Sequence, residues 1–486
     1  MSGIGGAIGG SVVEILPGGS EEPLPATLKR AGELAEAGRL AEARRVCVEA
    51  LGRFPEQPLL LRLLGILAVR SGEIESAIKL FERALRREGA PPDCRTQLAQ
   101  LYRQAGRLDE AMAAGRLAFA AQPRSPAPAF ALGLACTERG ELDDAAQWFI
   151  RAISIDPEFA AAHLELGHLL LLRGEFRAGW SEAEWRYRLP HTRDALPKFS
   201  APRWNGMRLP RGKILLIGDQ GYGDTIQFAR FIPRVAERCR EVIVGCSAEL
   251  ESLIATVPGA GTRVTRWEEL PSFEMQSPFS SLPGILGVEL ATIPAETPYM
   301  RADPAMVRRW AERLGASLPP GKLRVGVVWA GRTAPPHNAR RSMRWRDLAP
   351  LAAIPGVALA SLQKELLEVD RAAFAATPGV ADLSPYLSTF SETAGAIEAL
   401  DLVVTIDTSV AHLAGALGKP VWVLLPLVPD WRWLLGREDS PWYPTMRLFR
   451  QSGSEGWGGV MSRVAAELAA VAGGARERLL PGGGVR

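Results

Sequence analysis

GRLAEA (38–43), GEIESA (72–77), GRLDEA (106–111), GELDDA (140–145) and GEFRAG (174–179) are five turns, each opened by a glycine, spaced 34 residues apart. Self-similarity at a fixed period of this size marks a helical solenoid, in which one unit cannot bury its apolar face without a neighbour. The rest of the unit keeps the same phase. With Gly65 as the small residue of its first helix, Ala77, Phe81 and Ala84 recur as Ala145, Phe149 and Ala152. Pro55, Gly89, Pro123 and Pro157 mark the turns between units.

This pattern resembles the tetratricopeptide repeat (TPR) over residues 25–190. Paired helices stacked in this way line a groove suited to a protein or an extended peptide. Homo-oligomerisation, or support of the following domain, is the alternative use. The last unit departs from the pattern. It carries Gly179, Ala183 and Arg186 with the aromatics Trp180, Trp185 and Tyr187, and terminal repeats of this kind cap or dock. Residues 175–205 therefore read as a junction.

At 486 residues the chain exceeds one hydrophobic core and should hold two to four domains. Its composition, 47% hydrophobic and 23% charged, is that of a globular protein. A net charge of +3 without long basic runs gives no sign of a nucleic-acid partner. Cys47, Cys94, Cys136, Cys239 and Cys246 form no CxxC pair, and their odd number points to a reducing, cytoplasmic compartment. No apolar run approaches the length of a membrane span. The leader 1–24 lacks a basic start and is broken by glycines, so disorder is expected there and in the tail 473–486.

Past a junction at 191–209 the grammar changes. KILLIG (213–218) reads as a buried strand, GDQGYGD (218–224) as a tight loop and TIQFARFIPRVAERC (225–239) as a helix; EVIVGC (241–246) and AELESLIATV (248–257) repeat the pattern. After a proline-rich stretch, LRVGVVWAG (323–331) opens a second series. It continues with a helix near 345–354, strands at 356–363 and 400–407, the helix TSVAHLAGALG (408–418) and the strand KPVWVLLP (419–426). This is βαβ order with parallel sheets. The expected fold is α + α/β, a solenoid followed by two doubly wound lobes at 210–318 and 319–472, with the ligand in the cleft at their carboxyl strand ends.

Three clusters could carry chemistry there. In the loop Gly221-Tyr222-Gly223-Asp224-Thr225, glycines let the backbone approach a ligand. This is not the dinucleotide fingerprint, because the second strand ends Gly245-Cys246-Ser247 without an acidic residue. Asp224 reads either as a helix N-cap with Gln227 as capping-box partner or as a general base. Residues 192–336 hold no histidine, so a base in that lobe must be a carboxylate. Asp407, Thr408, Ser409 and His412 start a helix, where backbone N–H groups and the dipole favour an anion such as a nucleotide diphosphate. His412 is either such a ligand contact or a core histidine. Arg340, Arg341, Ser342 and Arg344 follow a strand end and would neutralise phosphate, or form a solvated loop. Gln363 and Lys364 lie at the same sheet edge, within reach of base or ribose. No Asp-x-Asp or His/carboxylate cluster suggests a metal.

GDQGYGDTIQFARFIP, VGVVWAGR and DLVVTIDTSVAHLAGALGKPVWVLLPLVPDWRWLL together resemble bacterial TPR proteins ending in a heptosyltransferase-like glycosyltransferase domain. The resemblance implies the two-lobed GT-B (tandem Rossmann-like) architecture, acceptor lobe first. It implies Asp224 as catalytic base, Arg341 as phosphate contact, and Asp407, Thr408 and His412 at the donor helix. It also implies a nucleoside-diphosphate or -monophosphate sugar as co-substrate with no cofactor or metal. The layout is similar to flagellin glycosyltransferases and O-GlcNAc transferase, so the expected activity is sugar transfer to a protein acceptor held by the repeats. The alternatives are transfer to lipopolysaccharide or another glycan, and a non-catalytic scaffold. One departure from O-GlcNAc transferase is plain. The repeats hold no asparagine ladder, since Asn205 and Asn338 are the only asparagines and neither lies in a repeat.

Overall fold

All five turn glycines, Gly38, Gly72, Gly106, Gly140 and Gly174, take φ between 75° and 82° in the computed structural model, which describes residues 22–331, 341–453 and 455–482. Each ends a helix in the same way. Beside Gly38, for example, Arg39 N–H bonds back to Leu34 C=O at 2.9 Å and Gly38 N–H to Ala35 C=O at 3.1 Å. This is the Schellman arrangement, which needs a left-handed residue and so selects glycine. The period seen in the sequence is therefore a repeating backbone conformation.

Ten helices follow this rule in pairs: α1 (Leu24–Glu36), α2 (Leu40–Arg53), α3 (Pro58–Arg70), α4 (Ile74–Leu85), α5 (Asp93–Gln104), α6 (Leu108–Ala121), α7 (Pro126–Arg139), α8 (Leu142–Ile155), α9 (Ala160–Leu172) and α10 (Phe176–Ala183). The in-phase small and aromatic residues are the contacts that pair them. A Cβ on Gly65 would fall 2.7 Å from the Phe81 ring. Phe81 and Phe149 are almost wholly buried, and removing such a ring costs about 3–5 kcal/mol. Cys47, Cys94 and Cys246 are buried among apolar neighbours, and burial pushes their thiols up to about 11, so they act as inert filler.

The chain divides into two compact units at Ala135/Cys136. The first holds helical repeats, with a core that includes Ala31, Ala43, Cys47, Leu60 and Leu64. The second holds the last repeats and two parallel sheets. One sheet contains β1 (Leu209–Ile217), β2 (Cys239–Gly245), β3 (Arg263–Val264) and β4 (Met275–Pro278), in the order β3-β2-β1-β4. The other contains β5 (Leu323–Val328), β6 (Val357–Ser361), β7 (Val380–Asp382), β8 (Leu402–Ile406), β9 (Val421–Leu425) and β10 (Met446–Arg450), in the order β10-β9-β8-β5-β6-β7. Every ladder between these ten strands is parallel. β6, β8 and β9 are buried along their whole length, which is why they read as continuous apolar runs.

Two expectations need correction. The helix expected over 225–239 is broken into Tyr222–Phe228, a 3-10 turn at Ala229–Phe231 and Ile232–Ala236; Pro233 lacks the N–H that would continue it. The tail expected to be disordered from Gly473 is placed as far as 482. Its Arg476–Leu479 turn is held by Trp422 Nε1–H to Leu479 C=O (3.1 Å) and by Arg447 to Arg478 C=O (2.6 Å). Residues 1–21 of the leader lie outside the described residues.

Candidate functional site

In each sheet of the second unit the strand order reverses once, between β1 and β4 and between β5 and β8. Ligands of doubly wound sheets bind outside the carboxyl strand ends at such points. A cavity of about 610 Å³ lies there, bordered by Gly221–Asp224 after β1, Ala330 and Gly331 after β5, and Asp407 and Thr408 after β8.

The loop after β1 feeds α11 (Tyr222–Phe228), whose N-cap is Gly221, with φ −70° and ψ 172°. Asp224 is consequently the third helical residue and not the N-cap; its Oδ2 accepts from Gly221 N–H at 2.9 Å. Gln227 does not complete a capping box. Its Oε1 accepts from Arg432 Nε–H at 2.6 Å. Arg432 also donates to Asp224 Oδ1 and, at 2.8 Å, to Asp430 Oδ1. One guanidinium, 8% exposed, thus ties together groups about 200 residues apart in sequence. Burial pushes the Asp224 carboxyl above its ordinary value; Arg432 opposes this, and Asp430 and Asp219 add to it. Burial acts in the same direction on Asp430, but there the Arg432 contacts win and hold the carboxyl below its ordinary value. Asp224 keeps a side-chain exposure of 23% and faces the cavity. A carboxylate with a raised pKa, reachable from the cavity, is suited to take a proton.

Arg432 sits on a strained segment. Leu434, two residues on, takes φ 50° and ψ −170°, a region that costs a residue with a Cβ about 1–3 kcal/mol.

After β8, α12 (Ser409–Ala416) starts at Thr408, whose hydroxyl lies 3.1 Å from Thr405 Oγ1 instead of capping the helix. Ser409 and Val410, the first helical residues, border the cavity, and N–H groups in a first turn have no partner within the helix. His412 is 4% exposed, with Nδ1 2.9 Å from Tyr443 Oη and Nε2 3.9 Å from Asp407 Oδ1. Burial drives it well below the ordinary imidazole value, with Arg432 adding to the effect. Asp407 is pushed up to about 6, by burial first and then by Asp430, against the pull of Arg341 and Arg432. Arg341 Nη1 lies 3.9 Å from Asp407 Oδ2. The helix starts α11 and α12 meet closely, since a Cβ on Gly223 would fall 2.9 Å from His412 Cδ2 and 3.4 Å from Ser409 Cα.

The cavity therefore gathers Asp224, Gly221, Tyr222, Gly223, Arg341, Gln363, Lys364, Asp407, Thr408, Ser409 and His412. Thr225 and Ser342 do not border it. Thr225 is buried with its hydroxyl 3.4 Å from Gly221 C=O, and Ser342 Oγ accepts from Gly331 N–H at 3.3 Å. Gln363 borders the cavity, yet its amide is spent on the chain itself. Oε1 accepts from Trp329 and Ala330 N–H at 3.1 and 3.0 Å, and Nε2 donates to Ala330 and Glu365 C=O at 2.9 and 3.0 Å. Its role here is to shape the strand end. Arg340 lies outside the described residues.

Sequence reasoning missed one wall. His168 and Leu171 of α9, Trp180 and Ala183 of α10, and Arg186 from the 3-10 turn Glu184–Arg188 border the same cavity. Trp180 anchors them through Nε1–H to Val288 C=O at 3.0 Å and an edge contact with Trp431. Arg186, 6% exposed, donates to Ser280 Oγ at 2.9 Å and Ser281 Oγ at 3.1 Å, and Tyr187 donates to Asp219 Oδ2 at 2.8 Å. Asp430 and Arg432 were also missed. The one available signal was a pair of charges interleaved with tryptophans in PDWRWLL (429–435). Among the described residues, no group of three or more His, Cys, Asp and Glu is arranged to hold a metal ion.

The N-terminal region matches tetratricopeptide repeat families at residues 34–89, 62–126 and 133–174. Protein FlbA of Caulobacter vibrioides is 26% identical over 482 residues, spanning 86% of this chain and 80% of FlbA. Among solved structures, MamA from Desulfovibrio magneticus RS-1 is 18% identical with a TM-score of 0.31, covering 35% of this chain and 95% of its own. YrrB, a TPR protein with an unusual peptide-binding site, is 18% identical with a TM-score of 0.29, covering 35% and 88%. The chain is thus a TPR protein similar to FlbA over most of its length, followed by a region of parallel sheets, and its repeats fit a protein-interaction role.

Proposed function

We propose that the second unit is a GT-B glycosyltransferase that moves a sugar from a nucleotide sugar to a hydroxyl of a protein acceptor recruited by the repeats. Flagellin or another surface protein is the preferred acceptor, from the resemblance noted above. The observation that carries the reading is the convergence, in one cavity, of a half-buried carboxylate with a raised pKa, Asp224, and the start of α12 with Arg341 beside it. In this reading the donor phosphate lies at the α12 N-terminus, where N–H groups, Arg341 and His412 Nε2 stabilise the charge that develops as the sugar–phosphate bond breaks. The acceptor hydroxyl enters from the wall of α9 and α10, forms the new bond to the anomeric carbon, and passes its proton to Asp224. Charge on the leaving phosphate is met by arginine and helix N–H groups, so the reading requires no metal.

Ligand-dependent stability tests it. A nucleotide that binds only the folded state at 100 times its Kd adds about 2.7 kcal/mol. Nucleoside di- and monophosphates, with and without EDTA, should give at least one metal-independent rise in Tm. No rise with any of them would defeat the reading, and a rise that needs Mg²⁺ or Mn²⁺ would defeat its metal-free form.

A further inference from the structure

His412 is held on every side. Its ring stacks on Trp433 (5.5 Å between centroids, 20°) and lies against Tyr443 (5.8 Å, 54°). Tyr443 is itself pinned to the same helix. A Cβ on Gly415 would fall 2.5 Å from the Tyr443 ring, so the glycine is what lets that ring lie on α12. Below it, Arg230 sits 4.4 Å over the Tyr443 ring and donates to Tyr299 Oη (3.1 Å), Pro294 C=O (3.1 Å) and Trp442 C=O (2.5 Å).

The proton count along this chain is restrictive. Tyr299 has one proton, and Ile226 C=O takes it at 3.0 Å. Tyr443 also has one, and can give it to His412 Nδ1 at 2.9 Å or to Tyr299 Oη at 3.5 Å. The shorter, stronger bond is the one to the ring nitrogen. A ring nitrogen that accepts a hydrogen bond carries the lone pair, which puts the imidazole proton on the other nitrogen.

We propose that Tyr443 is a positioning residue that locks His412 in the tautomer with its proton on Nε2, aimed at the cavity. This rests on the donor site proposed above and deepens it, because the ligand atom facing His412 must then be an acceptor oxygen, such as one of phosphate. Among the described residues Nε2 has no hydrogen-bond partner, and Asp407 Oδ1 lies 3.9 Å from it. The charges facing the ring are Arg432, Asp430, Arg230, Arg341 and Asp407, and with burial their balance keeps it neutral. Tyr443 is buried and held well above its ordinary pKa, so its proton stays available. The site therefore offers phosphate a dipolar donor and adds no titrating cation of its own at this position.

Two-bond ¹H–¹⁵N correlation on the full-length protein with ¹⁵N-histidine reads the tautomer directly. His412→Gln identifies the signal among five histidines. His412 should remain in the single Nε2–H form from about pH 5 to pH 8; an Nδ1–H form, or an imidazolium near pH 6, overturns the proposal. In Tyr443→Phe the preference should be lost, whereas Tyr299→Phe should keep it. With inorganic pyrophosphate as probe, calorimetry should show binding weakened roughly two- to tenfold in Tyr443→Phe, the worth of one hydrogen bond; unchanged affinity overturns the positioning role. If pyrophosphate fails to bind the wild-type protein, the donor-site reading falls and His412 loses the ligand assigned here. If it binds while Nδ1 carries the proton, only the role of Tyr443 falls.

Discussion

Gly72, in a repeat turn, takes φ 76° and has nothing within 4 Å of the place its Cβ would occupy; Gly223, at the cavity, would bring a Cβ to 2.9 Å from His412. The first glycine is there for its backbone and the second for its missing side chain. The contrast extends to charges. Arg62 and Asp93 form an ion pair in the repeats with about a third of each side chain exposed, whereas Arg432 is sealed between three polar partners at the cavity. The repeats are built from local conformation and can be edited one residue at a time. The cavity is built from distant groups that depend on each other.

The sharpest way to break this contrast is Asp224→Asn. If Asp224 takes the proton, the variant should lose 10²–10⁴-fold in transfer rate, with Tm and nucleotide binding close to wild type. A fully active variant would reduce Asp224 to a helix-start residue bonded to Gly221. Second in size, Arg432→Met should cost about 3–5 kcal/mol in denaturant unfolding, because Asp224 and Asp430 lose their counter-charge in a buried site. Arg62→Met should cost about 1 kcal/mol or less. Equal costs would erase the distinction between the two regions.

Gly223→Ala should push α11 away from α12, cost about 1–3 kcal/mol in stability through the overpacked contact with His412, and lower activity by up to about 10²-fold, the usual effect of a misplacement near 1 Å. Asp407 gives a pH test of similar size. Its folded pKa, about 6, lies above that of the unfolded chain, about 3.9. The folded state thus holds the proton more tightly, and the stability this adds is complete below about pH 4 and lost as pH rises through 6. Relative to Asp407→Asn, the wild type should lose roughly 2–3 kcal/mol between pH 4 and pH 7; parallel stability curves would show that Asp407 is not perturbed. The smallest effect belongs to Gly72→Ala, about 1–2 kcal/mol from the left-handed backbone alone, with pyrophosphate affinity unchanged.

Much of the cavity was legible in advance because strand-end loops declare themselves locally. GDQGYGD and IDTSVAH each place glycines, hydroxyls or carboxylates between an apolar strand and a helix, and the reversals of strand order bring them to one place. Gln363 was legible as a residue at that edge and not as one spent on Trp329 and Ala330. Its partners are backbone groups 33 and 34 residues away, which carry no identity in the sequence. Asp224 was legible as a helix-start carboxylate, but its partnership with Arg432, 208 residues on, was not.

By itself the sequence determined the helix pairs, their 34-residue phase, the left-handed turn at each glycine and the apolar parallel strands. These follow from backbone energetics and from alternation of side chains over a few neighbours. Only the tertiary structure decided that α9 and α10 of the last repeat form a wall of the cavity, that Arg432 binds Asp224, and that Tyr443 reaches His412. Those are contacts between residues remote in the chain. Their strength depends on burial and distance, which exist only once the fold has excluded water from around them.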